Sequence, residues 1–154
     1  MHKRIFLGIA ALLVWTLPAW AGDIHVMNIH VTGAWMRLPP GGFGNAAVYF
    51  TIVNSGAAAD RLVSASSPIA AKVTLHETMS GHGMAGMKDS GPVAIAPGAT
   101  VIFKPLGRHV MLSGLKMRLY EGASIALALS FEHAGTITVP VAVVAADASP
   151  SASQ

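Results

Sequence analysis

Between Ile24 and Val144 the apolar residues recur with a period of two, in short runs broken by Gly, Pro, Asn, Asp and Ser. That spacing belongs to half-buried strands, whose side chains alternate between two faces, and not to helices. The clearest runs are AAVYFTIVN (46–54), RLVSAS (61–66), KVTLHET (72–78), TVIFKP (100–105), SIALALSF (124–131) and TITVPVAVV (136–144). In SIALALSF, Ile125, Leu127, Leu129 and Phe131 share one face, and Ala126, Ala128 and Ser130 the other. DIHVMNIHV, near the start of the patterned region, predicts a further strand. Seven or more short strands at this spacing predict a single-domain, antiparallel Greek-key β-sandwich or barrel.

Two stretches depart from the pattern. GRHVMLSG (107–114) reads as a strand, yet His109 and Met111, two apart, project to one side while Val110 and Leu112 project to the other. ETMSGHGMAGMKDSG (77–91) reads as a glycine-rich connection holding Met79, His82, Met84 and Met87. Methionine normally packs in cores and glycine-rich loops are normally solvated, so the thioethers either fold back onto the sandwich end or serve as ligands.

The first 21 residues change the charge argument. A basic start (His2, Lys3, Arg4), an apolar run from Ile5 to Leu17 and Ala19-Trp20-Ala21 form a secretory leader with cleavage after Ala21. The apolar run has 13 residues, and a spanning helix needs about 20, so export is expected and stable membrane insertion is not. Residues 22–144 then form the folded domain, and AADASPSASQ (145–154), small and polar, a disordered tail. Of 10 Lys and Arg two leave with the leader, leaving eight against 7 Asp and Glu, formally +1. Nucleic acid is not an expected partner, since no basic block or aromatic-basic interleaving remains. The chain has no cysteine, which removes both a disulfide framework and thiolate chemistry, including the ligand a blue-copper electron carrier requires. No serine-histidine-acid or paired-carboxylate motif supports an enzyme.

His76 closes the run KVTLHET; ten residues separate it from Met87, twenty-one separate Met87 from His109, and one separates His109 from Met111. This H-x10-M-x21-H-x-M spacing resembles that of the PCu(A)C family of periplasmic copper chaperones, and the likeness extends over Val31 to Val144. AWMR, AVYFTIVNSG, DRLVSASSP, LHE and PGATVIFKPLGRHVMLSGL are similar to family stretches as well. The resemblance implies a cupredoxin-like sandwich that binds Cu(I) through His76, Met87, His109 and Met111. It implies a periplasmic carrier that passes copper to the CuA domain of a cytochrome c oxidase, directly or through a thiol-based copper chaperone; a monomer is expected, although the sequence does not fix the oligomeric state. The donor set agrees independently: thioether and imidazole suit a soft monovalent ion, whereas zinc prefers Cys, His and carboxylate.

Copper or silver sequestration for metal tolerance would use the same four residues and differs only in whether the ion is delivered. Met79, His82 and Met84 lack the motif spacing and remain open as transient or second-metal ligands. His25, Met27 and His30 are assigned to ordinary strand or surface positions, Trp35 and Arg37 to the fold, and His133 in the FEHAG turn to solvent.

Overall fold

A computed structural model describes residues 28–81 and 84–148. The leader, His25 and Met27, His82, and residues 149–154 of the expected tail lie outside them. Ten strands are present among the described residues: β1 Ile29–Arg37, β2 Ala46–Asn54, β3 Asp60–Ser66, β4 Ala70–Gly81, β5 Met84–Asp89, β6 Val93–Ile95, β7 Thr100–Phe103, β8 Arg108–Leu115, β9 Ser124–Phe131 and β10 Gly135–Val144. They hydrogen-bond in the order β5-β4-β8-β2-β1-β10-β9-β3-β6, with β7 on the same edge of β2 as β8. Every pair is antiparallel except β1 with β10.

The expected alternation is realised most fully in β2, where Ala46, Val48, Phe50, Ile52 and Asn54 are buried and the residues between them are half-buried. Ile125, Leu127, Leu129 and Phe131 of β9 enter the same core, together with Leu62, Val110, Leu112, Val141 and Val143. Phe50 and Phe103 stack at 4.4 Å in its middle. Each of these side chains contributes on the order of 1.5–3 kcal/mol by leaving water.

Three segments differ from the sequence expectation. The N-terminal strand does not end at Val31 but runs on through Trp35 and Met36 to Arg37, with a register shift between Thr32 and Trp35 against β2. The glycine-rich stretch 77–91 is not an open loop. Its first half extends β4 and its second half is β5, joined in an unbroken antiparallel register from His76↔Asp89 to Gly81↔Met84. Cross-strand pairing supplied hydrogen-bond partners that glycine-rich composition does not reveal. Finally, residues 145–148 form a turn, Ala148 N–H donating to Ala145 O, and Arg37 Nε donates to Ala148 O at 2.9 Å.

Candidate metal centre

The register of three strands places the four predicted ligands. On β4, Thr74, His76 and Thr78 share a face; across the β8 pairing, Thr74 meets Met111 and His76 meets His109. Across the β5 pairing, Thr78 meets Met87 and His76 meets Asp89. Directly paired residues in an antiparallel ladder project to the same side, so His76, His109, Met87 and Met111 occupy one face of the β5-β4-β8 patch. The two histidines are central. Met87 lies to the Thr78 side of them and Met111 to the Thr74 side.

The imidazoles are held edge to face, ring centroids 5.6 Å apart. His109 is 3% exposed. Its Nδ1 is 3.1 Å from the carbonyl oxygen of Gly107, which can only accept, so Nδ1 is the donor and Nε2 is the lone-pair nitrogen of the neutral tautomer. His76 Nε2 is 3.0 Å from Thr74 Oγ1. The remaining nitrogens, His76 Nδ1 and His109 Nε2, are buried with no hydrogen-bond partner among the described residues. Leaving a buried polar atom unpaired costs roughly 1–3 kcal/mol, and folded proteins seldom tolerate it without purpose. Here two occur on directly paired residues. Each ring has its other nitrogen anchored, the arrangement that orients imidazole toward a metal.

A cleft of about 310 Å³ opens over His109, walled by Tyr49 and Arg37 on one side and Met87, Pro105 and Leu106 on the other. Met87 lines the cleft and is 64% exposed. Tyr49 stacks on Trp35 at 4.7 Å and lies 6.4 Å from the His109 ring. Burial raises the Tyr49 phenol above its ordinary range while the Arg37 charge pulls it down, so it stays a neutral hydroxyl. Among the described residues no three His, Asp or Glu side chains cluster as a metal site. On the face that carries the histidine pair the neighbouring soft donors are the thioethers of Met87 and Met111, a combination that suits a soft ion.

Met79 belongs to the opposite face of β4, alternating with Thr78, and is 55% exposed. It does not join the four. Met84 stands across from Gly81, three residues before Met87. Sequence reasoning missed Thr74 and Gly107, the two anchors of the imidazoles, and Tyr49. It also gave Arg37 to the fold alone. The Thr74-x-His76 spacing was visible, but Tyr49 became legible only when β2 was laid beside β8.

Two solved structures with this architecture hold copper. The copper-bound PCuAC domain from PmoF2 superposes with a TM-score of 0.64 at 29% identity, covering 77% of this chain and 93% of that one. The Cu(I) form of DR1885 from Deinococcus radiodurans superposes with a TM-score of 0.61 at 31% identity, covering 82% and 83%. The fold is thus that of a cupredoxin-like PCuAC domain. Residues 29–143 match the family model described as "Putative lipoprotein LpqE-like", and the chain belongs to the LpqE-like family. A relative from Leifsonia xyli subsp. xyli (strain CTCB07), "Putative lipoprotein Lxx21020", is 34% identical over 117 residues, 75% of this chain. The chain spans 60–69% of the length of the curated relatives it matches.

Proposed function

We propose that this protein is an exported Cu(I) carrier that holds the ion through His76, His109, Met87 and Met111 and hands it to a thiolate acceptor. The observation that carries the reading is the pair of buried, unpartnered imidazole nitrogens on directly opposed strand residues, flanked by two thioethers. Copper in the solved neighbours, the lipoprotein description of the family and the leader-like N-terminus support it. The periplasm is the proposed compartment, and the CuA domain of a cytochrome c oxidase, reached directly or through a thiol-based chaperone, the proposed destination.

Copper here is cargo, and the site is suited to giving it up. All four donors are neutral, so a monovalent ion is held without the charge attraction a thiolate would add. An incoming thiol loses its proton to solvent, its sulfur bonds to Cu(I), and a thioether bond to the carrier breaks; the metal keeps its oxidation state throughout. Met87, on the edge strand β5 and largely exposed, is the first ligand to exchange. His109, buried and anchored on Gly107, is the last.

The test is direct. Protein loaded with Cu(I) under reducing conditions should show one ion in a mixed nitrogen and sulfur shell by X-ray absorption. It should lose the ion to a soluble, reduced CuA domain or dithiol chaperone, and zinc at equal concentration should not displace it. Copper that stays bound against every thiol acceptor, with gene deletion harming only survival in excess copper, would replace delivery by sequestration.

A further inference from the structure

The backbone running beside β2 is interrupted at the site. Thr100–Phe103 pair with Phe50–Val53, and Val110–Leu112 pair with Ala46–Val48, so residues 104–109 stand opposite Tyr49 alone. The excursion is closed by Lys104 N–H donating to Arg108 O at 2.9 Å and Gly107 N–H donating to Lys104 O at 3.0 Å. Thr78 N–H pins it to β4 by donating to Gly107 O at 3.2 Å. At its tip Leu106 is 90% exposed and adopts φ +62°, a left-handed conformation that glycine accepts and leucine rarely does.

Leucine at that position serves neither the core nor the turn. A strained backbone bearing an exposed, large apolar side chain is a local inconsistency of the kind that accompanies function. Its location indicates which function, because Leu106 walls the same cleft as His109 and Met87. We propose that Leu106 is the anchor on which a copper-accepting protein docks, an inference that rests on the delivery reading above. An acceptor sulfur must come within bonding distance of an ion held between His109 and Met87. The surface around that sulfur is then pressed onto Leu106 and Pro105. Arg37, held by Ala148 O, lines the cleft and Lys104 opens the turn, so the positive charge beside this apolar tip favours a partner with an apolar metal entrance and carboxylates at its periphery. A second copy of this chain is a poorer occupant, since a two-fold contact centred on Leu106 would bring these cations against their own equivalents.

Leu106→Gly separates docking from binding. Glycine relieves the backbone, so the melting temperature should hold or rise, and Cu(I) affinity should stay within about threefold because no ligand is touched. Transfer to bathocuproine disulfonate, a small chelator that needs no docking surface, should keep its rate. Transfer to a soluble, reduced CuA domain should slow by roughly tenfold or more, as for loss of a central apolar anchor. Leu106→Met, which keeps apolar bulk, should remain within about threefold of the parent rate. Equal protein-to-protein rates for the parent and Leu106→Gly would overturn the docking role and leave delivery standing. So would a concentration-dependent dimer of the parent that Leu106→Gly abolishes while transfer continues unchanged. If the parent itself passes copper to the chelator but to neither a CuA domain nor a dithiol chaperone, delivery fails and the docking role with it.

Discussion

Two buried polar clusters in this sandwich are built to opposite specifications. At the start of β3, Asp60 is fully enclosed and every contact it needs is supplied: Oδ1 accepts from the backbone N–H of Arg61 at 2.7 Å and of His133 at 3.0 Å, and Oδ2 from that of Ala134 at 2.9 Å. His133 Nδ1 approaches it at 3.4 Å. Between β4 and β8, His76 and His109 have one anchored nitrogen each and one with no partner among the described residues. The Asp60 corner ties the β9-β10 turn to the sheet and is complete without a ligand. The histidine pair leaves one nitrogen on each ring open, and the copper proposal rests on that difference. Unsatisfied polarity on paired strand positions is a feature that stability alone does not account for.

Breaking the histidine pair should give the largest effect, and it should fall on metal affinity. His109→Leu removes a buried donor, and Cu(I) affinity should drop at least about a hundredfold, since even the outer-shell partners of metal ligands are worth roughly 10–100-fold. Stability of the copper-free protein should be unchanged or slightly higher, because an unpaired nitrogen leaves the interior. Competition titration and denaturant unfolding on the same preparation measure both. A large loss of stability would mean the histidines are structural and the contrast false.

At the other cluster the effect should fall on stability. Asp60→Ala orphans three backbone N–H groups and should lower unfolding free energy by roughly 3 kcal/mol while Cu(I) affinity stays put. Burial pushes the Asp60 carboxyl up, but the three backbone donors and the His133 ring outweigh it and hold it below the ordinary carboxylate range. The stabilisation is therefore fully present above about pH 4, the unfolded value, and is lost as pH falls through the lower folded value. Asp60→Asn should flatten the acid limb of a stability profile in that window. An unaltered profile would remove the carboxylate from the account.

The smallest effect sharpens the choice among the hairpin methionines. Met87→Leu retains bulk and removes sulfur, and should weaken Cu(I) binding on the order of tenfold, less than His109 because an exposed thioether exchanges with water and neighbouring donors. Met84→Leu, at a different register position, should change affinity by less than about twofold. Equal losses from the two would place the wrong methionine in the site.

Much of this was legible in the chain before it folded. Period-two alternation is a local property, so AAVYFTIVN and SIALALSF announced β2 and β9 with their core faces. The H-x10-M-x21-H-x-M spacing named four residues that the sheet gathers onto one face. What alternation could not convey is which strands lie side by side. The pairing of His76 with His109, and of Met87 with Thr78, depends on hydrogen-bond register between segments distant in sequence, and register turned ETMSGHGMAGMKDSG from a presumed loop into the end of β4 and all of β5. The orphaned nitrogens, the Gly107 carbonyl that fixes a tautomer, the exposed Leu106 and the Asp60 cradle are likewise consequences of proximity. Sequence determined the residue chemistry and the two faces of each strand. Tertiary structure alone decided which polar atoms found partners and which did not, because satisfaction of a buried group is a property of its neighbours and not of the residue that carries it.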